Sequence, residues 1–532
     1  MVNNGLFEIL KESVEKISHA EITGSMSQTY SPYFVSAMVK ARQSFQVDVE
    51  NGGVMSRDEC LTPSHDGRLE VRMGSPKQGG AVSYGEFYPP ENLERQSFEI
   101  ALRTAAEETL WDCALDLREK QNQAFGMPSS EQREKFVYFS PEESSTSSDE
   151  LEKELDINFQ EVEELFKKVS NNLSTPLLQN VAVSFEAGKE DCYFVNSEGT
   201  RVYSNYRRFH IVMELKTVDK SNLIIPHHWS FRCTSPSKIP TYEELMTTGE
   251  TLTRELLEIV KAPIQENGEF STIVDYENHG VFWHEVIGHA VEAHRMQEDK
   301  WGDSTNIFKG KIGELIAPPF LTVIDDPTVE GLDGSYQFDE EGIPAQKVVI
   351  VENGVLREYL HTRSSAGYFE RGSNGHARAD GNENPCARMS NTLVESSLQV
   401  SAEQLKEDLI KICERLNKPY GLILRGSTGG ETMPEESVYA TIPANIFRID
   451  RKGKEKRVRG IYVVGTPYQA LSMIEETSDN YGIFNGVCGA ESGWIPVTIT
   501  APDALLRSLE INRLPKNIYE SVRNQILSGH LF

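Results

Sequence analysis

Two histidines five positions apart constrain this chain more than any other feature. They lie in the run Asn278-His279-Gly280-Val281-Phe282-Trp283-His284-Glu285-Val286-Ile287-Gly288-His289-Ala290-Val291-Glu292-Ala293-His294. An α-helix turns about 100° per residue, so side chains four apart diverge by about 40° and side chains five apart by about 140°. A regular helix therefore cannot aim His284 and His289 at one point. A single π-type turn can, because i→i+5 becomes its repeat. Gly288, inside the interval, can relieve crowding at such a turn. The spacing predicts a helix distorted between His284 and His289, in the apolar company of Val281, Phe282, Trp283, Val286 and Ile287. Histidines buried there need polar partners.

A metal ion is one such partner. It would acidify a water and polarise a carbonyl, and an adjacent carboxylate, here Glu285, would move the proton. The familiar form of this pattern spaces its histidines four apart. With 12 histidines in the chain, a His-Glu pair followed by a His also arises by coincidence. Two histidines do not complete a site, since catalytic zinc usually has three protein ligands and an open position. Nearby candidates for the third are Glu292, His294 and His279; a distant one is Cys488, in Asn485-Gly486-Val487-Cys488-Gly489. Glycines flanking Cys488 allow close backbone approach, and a thiolate is a good zinc ligand. Taken alone, Cys488 reads first as a small buried thiol.

The rest of the chain sets limits. At 532 residues it exceeds one ordinary core, so two or three domains are expected. The net charge of −28, from 53 basic and 81 acidic residues, repels phosphate backbones and argues against nucleic acid as a direct ligand. No segment reaches the roughly 18 apolar residues of a membrane span. Met1 to Ile22 lacks the pattern of a secretion signal; Leu6, Leu10, Val14 and Ile17 instead give an amphipathic helix. Seven cysteines, with no CxxC pair, read as reduced thiols in a cytoplasmic protein.

The predicted class is α+β: an α/β N-terminal domain over 1–267, then a β-rich C-terminal domain over 268–532 carrying the His284 helix. Leu93 to Phe125, Phe159 to Asn171 and Thr241 to Val260 read as helices. Ala81 to Tyr88, Val181 to Phe185, Cys192 to Val195, Arg201 to Tyr203 and Phe209 to Leu215 read as strands. The Ser/Glu-rich segment 128–156 reads as mobile. In the second half, Asn353-Gly354 between apolar runs signals a hairpin over Lys347 to Leu356, and Ile461 to Val464 and Ile495 to Thr500 read as strands. The His284 segment is expected to be the main helix there.

Several further segments recur in a known order. His284-Glu285-x-x-x-His289 with Glu292 resembles the HExxxH segment of the TldD/PmbA peptidases, a family also called modulators of DNA gyrase. Downstream, Asp339-Glu340-Glu341-Gly342-Ile343-Pro344-Ala345-Gln346, Arg363, Asn374-Gly375-His376-Ala377-Arg378 and Pro385-Cys386-Ala387-Arg388-Met389-Ser390-Asn391-Thr392 resemble that family's successive segments. So do Gly429-Gly430 and Val487-Cys488-Gly489 with Pro496-Val497. The resemblance spans about residues 270–505; the N-terminal 130 residues depart from it. It implies zinc on His284, His289 and Cys488 and Glu285 as general base. Asn391, Gly429 and Gly430 are candidates for contact with the peptide substrate, as are Arg378 and Arg388, which read equally as structural ion-pair partners. It implies action on unfolded or small peptides and assembly as a homodimer or as a heterodimer with a related chain. The competing readings are a regulatory or binding protein of the gyrase-modulator type and a metal-dependent hydrolase of non-peptide amides.

Overall fold

A computed structural model of the protein describes residues 3–23, 28–125, 127, 137–147, 154–297, 306–433 and 438–514. The fold is α+β, built on two large sheets. The first begins where Asn51 and Gly52, at φ of 47° and 82°, reverse the chain between Pro32–Glu50 and Gly53–Ser75. Both residues tolerate the positive φ that a two-residue hairpin turn demands. Six antiparallel strands follow in the order Gly79–Phe87, Gly53–Ser75, Pro32–Glu50, Asn180–Asn196, Arg201–Val218 and Ile224–Cys233. Stretches that the sequence suggests are separate short strands are here continuous, over 17 residues in Asn180–Asn196 and 18 in Arg201–Val218.

Alternation along these strands divides their side chains between two faces. Val35, Ala37, Val39, Leu69 and Val71 share a core with Leu6, Leu10 and Val14 of helix Asn4–Ser18 and with Leu102, Ala106 and Leu110 of helix Arg95–Ala124. Further along, Phe45, Val47, Val183, Phe185 and Ile211 meet helices Phe159–Leu173 and Tyr242–Ile259. The same strands also bury charge: Lys40, Arg68 and Arg72 are at most 3% exposed. These cations reach into the C-terminal half. Lys40 Nζ donates to Glu340 at 2.8 Å and to the Ala379 carbonyl at 3.1 Å. Arg68 donates to the carbonyls of Glu340 and Glu383, and Arg72 to the Ser364 hydroxyl.

Part of the segment 128–156, predicted to be mobile, lies outside the described residues. Its stretch 137–147 is docked instead. Phe139 is buried, with the Arg363 guanidinium 3.9 Å from its ring centroid. The Ser140 N–H donates to the Arg363 carbonyl, and Arg363 Nε donates to the Ser140 carbonyl, both at 2.9 Å. The apolar residues ahead of the Ser/Glu run supply this anchor.

Among the described residues the second sheet has twelve strands, and five of them close into a ring. Gly268–Val274, Tyr420–Met433, Val438–Asp450, Ile461–Gly465 and Gly493–Arg513 pair in turn, and Gly493–Arg513 pairs back to Gly268–Val274. Closure gives Gly268–Val274 a neighbour on both sides but pairs Tyr420–Met433 with it only through Leu424. Asn391–Ser396 and Leu321–Asp325 extend the sheet to the hairpin Val348–Glu352 and Val355–Leu356, which turns on Asn353 and Gly354 as its sequence predicts. Ala402–Arg415, which the sequence reading does not single out, is the longest α-helix described after residue 268. It covers Ile273, Ile423 and Leu505 with Leu405, Leu409 and Ile412, so the His284 segment is not the main helix of this half. Among the described residues no helix is long and apolar enough to cross a membrane.

Candidate metal centre

Strand Gly268–Val274 passes directly into the helix that carries the histidines. The Asp275 side chain caps it by accepting the Asn278 N–H at 3.0 Å. The helix is α over Tyr276–Trp283, π over His284–Gly288 and 3₁₀ over His289–Val291. The His289 N–H donates to the His284 carbonyl, the i→i+5 bond of a π turn. Gly288 has an ordinary helical φ of −51°, so its conformational freedom is not what the turn needs. Space is: a Cβ at Gly288 would stand 1.8 Å from Met389 Sδ.

The wide turn brings both imidazoles to one thiol. His284 Nε2 lies 3.2 Å and His289 Nε2 3.3 Å from Cys488 Sγ, and the two rings stand at 85° to each other. All three residues are buried, with one ligand atom of each within 4.8 Å of the others. Cys488 arrives on strand Ile474–Ala490, paired opposite Ile495. The donor set fits a divalent metal. Tetrahedral zinc, with bonds of about 2.3 Å to sulfur and about 2.0 Å to nitrogen, holds such donors roughly 3.5 Å apart. The distances here are slightly shorter.

The electrostatics suit the same occupant. Burial opposes ionisation of Cys488, yet Arg388, His289 and His284 outweigh it and hold the thiol well below its usual range. Glu285 is 2% exposed, and burial pushes its carboxyl up to about 7 against the pull of the two histidines.

A second layer of residues orients these groups. Glu292 accepts from His289 Nδ1 at 3.2 Å and from Arg295 Nε at 2.8 Å. The Arg388 guanidinium, fully buried, has Nε 3.6 Å from Glu292 and donates to the Cys488 carbonyl at 2.6 Å. One cation thus spans the histidine and cysteine sides. Glu292 therefore stands behind His289 rather than beside it. His279 is also accounted for: Trp283 Nε1 donates to its Nε2, and its Nδ1 donates to the Pro502 carbonyl, each at 2.8 Å. His294 stands apart, in contact with Glu491.

The residues expected at a substrate divide into two kinds. Arg378 is buried and donates to the carbonyls of Met389 and Pro496 at 2.6 and 2.8 Å. Asn391 Nδ2 donates to the Asp326 carbonyl and the Ser335 hydroxyl. With Arg388, these side chains act on the fold's own main chain. Gly429 and Gly430 lie on strand Tyr420–Met433 at a bulge, with Gly429 at φ +122°. A Cβ at Gly430 would stand 2.8 Å from Glu285 Cγ and 2.8 Å from Val281 Cγ1, so this strand runs directly against the carboxylate. Met389 over Gly288 and Gly430 beside Glu285 are contacts that spacing alone does not reveal.

Residues 248–513 match the family described as PmbA/TldA metallopeptidase C-terminal domain. A metalloprotease of Methanothermobacter thermautotrophicus is 30% identical over 353 residues, covering 66% of this chain and 74% of that protein. A zinc metalloprotease TldD homolog of Saccharolobus solfataricus is 26% identical over 265 residues, covering 49% of this chain and 55% of that protein. The crystal structure of TldE from Thermococcus kodakarensis superposes with a TM-score of 0.65 at 15% identity, covering 95% of this chain and 99% of that one. These matches define a class, the metallopeptidases. Within it, the chain belongs to the TldD/PmbA family.

Proposed function

We propose that the chain is a zinc-dependent peptidase that hydrolyses unfolded or small peptides, with His284, His289 and Cys488 as metal ligands and Glu285 as general base. The observation that carries this reading is the meeting of two imidazoles and a thiol beside a buried carboxylate, although Cys488 is 199 residues from His289. When bound, the zinc supplies a Lewis acid that acidifies water and polarises the scissile carbonyl. Glu285 takes the proton of the attacking water and delivers it to the leaving amine. Glu292 fixes the tautomer and orientation of His289, and Arg388 holds Cys488 by its carbonyl. A thiolate donates more charge than a third imidazole, which favours a slow enzyme.

The peptide's place is supported by strand Tyr420–Met433. Beyond Leu424 it has one ladder neighbour among the described residues, Val438–Asp450. An extended peptide adding along its other side would lie next to Glu285, held by main-chain bonds with little demand on sequence. Gly430 puts no side chain between this strand and Glu285. Arg378, Arg388 and Asn391 support the walls of the site. The proposal includes a cytoplasmic setting, with all seven cysteines free, and a dimer of like or related chains, read by elution mass. It also keeps a division near residue 267, supported by hydrophobic clusters whose buried members fall on one side or the other.

The test is Glu285→Gln. The variant is expected to retain metal and fold while cleavage of a peptide library falls by about 100-fold or more. Unchanged cleavage would exclude Glu285 as the base. Metal content of Cys488→Ala should fall, and full occupancy there would exclude Cys488 as a ligand. Assays of small amides beside peptides separate this reading from non-peptide amide hydrolysis.

A further inference from the structure

The five-residue spacing of histidines does not stop at His289. His294 stands five positions further on, in the 3₁₀ turn Ala293–Met296, and joins a second group of donors. One ligand atom from each of His294, Cys386 and Glu491 lies within 4.8 Å of the others. His294 Nε2 is in hydrogen-bond contact with Glu491 Oε1. Two stretches of chain supply ligand atoms to both groups, and a third supplies Cys386. The helix end gives His284 and His289, then His294. The hairpin of Ile474–Ala490 and Gly493–Arg513 gives Cys488, then Glu491 in its turn. Cys386 precedes by two residues the Arg388 that holds the Cys488 carbonyl. Cys386 is buried, whereas the Glu491 side chain is 46% exposed, so this second group opens to solvent.

We propose that His294, Cys386 and Glu491 form a second metal site for a thiophilic divalent cation of the zinc type, separate from the His284–His289–Cys488 centre. A thiol, an imidazole and a carboxylate are the three ligand classes zinc takes, and the exposed side leaves a fourth position to water. Arg295 sets the strength of the site. Its Nη2 donates to the second Glu491 oxygen at 2.7 Å, which aims the carboxylate but also repels an incoming cation. The second site is therefore the weaker of the two. The same guanidinium donates through Nε to Glu292, the partner of His289, so occupancy of one site is felt at the other through a single side chain.

Cobalt(II) titration of the metal-free full chain tests this. The wild type is expected to bind two equivalents in sequence, each producing a thiolate-to-cobalt charge-transfer band. Cys386→Ser should remove the band of the weaker event alone, and Glu491→Gln, at a half-exposed position, should weaken that event by about tenfold or more. Cys488→Ser should remove the band of the tighter event alone. A single equivalent in the wild type, or a weaker event unchanged in Cys386→Ser, overturns the second site. A tighter event unchanged in Cys488→Ser overturns the proposed peptidase ligands instead and leaves the second site standing.

Discussion

Replacing Gly288 by alanine would set a methyl group against Met389 Sδ, 1.8 Å from an ideal Cβ. Overpacking of this kind costs about 1–3 kcal/mol, and denaturant unfolding of Gly288→Ala should show a loss of that size. Met389→Ala in the same chain should recover part of it, because the two residues share one contact. A purely conformational role for Gly288 would give no such recovery. Gly430 makes a different demand. A Cβ there would press on Glu285 Cγ and Val281 Cγ1 without entering the main core, so Gly430→Ala should act on catalysis more than on stability. Displacing the carboxylate by about 1 Å is expected to lower kcat by about 100-fold, with a smaller change in KM. Equal effects on both constants would argue that Gly430 serves binding alone.

Elements that the sequence made legible are those whose burial follows a simple period. Helix Asn4–Ser18 buries Leu6, Leu10, Val14 and Ile17, and helix Arg95–Ala124 buries Leu102, Ala106 and Leu110, as their spacing predicts. The π turn was legible for a related reason, since two polar residues five apart on an apolar helix leave few alternatives. The long hairpin Pro32–Ser75 is not legible in the sequence, although Asn51-Gly52 is the same signal as Asn353-Gly354. Its strands hide their period: Lys40, Arg68, Glu70 and Arg72 are buried charges, and most of Val54–Pro63 is exposed. Helix Ala402–Arg415 carried its own signals, an N-cap Ser401 and Leu405, Leu409 and Ile412 on one face. At the site, the two nearest histidines and Glu285 were legible from local spacing. Cys488 needed the family's ordered segments, because nothing local links it to His289. Arg378 and Arg388, for which the sequence leaves a substrate contact and a structural role open, each donate to main-chain carbonyls of the fold.

The two halves of the molecule are joined by charge, and that joint has a pH dependence. Glu190 receives Arg42 Nε at 2.7 Å and lies 3.6 Å from Lys40 Nζ, while Lys40 and Arg42 also reach Glu340 and Asp380 across the interface. Burial pushes the Glu190 carboxyl up, but Lys40 and Arg42 outweigh it and draw it down to about 2. An unfolded glutamate titrates near about 4.3. The stabilisation is therefore fully present above that value and is lost as pH falls from there towards about 2. Unfolding followed across this window should show Glu190→Gln less sensitive to acid than the wild type; parallel curves would remove Glu190 from the account. The closed ring described above has a consequence for how the protein is made. Strand Gly493–Arg513 closes the ring against Gly268–Val274, and Cys488 pairs with it through Ile495. On a ribosome, the stretch bearing His284 and His289 emerges some 200 residues before its thiol partner, and the ring cannot shut until its last strand is free. A nascent or prematurely ended chain thus holds only fragments of the centre, and the proposed proteolytic activity is withheld until synthesis of that strand is finished.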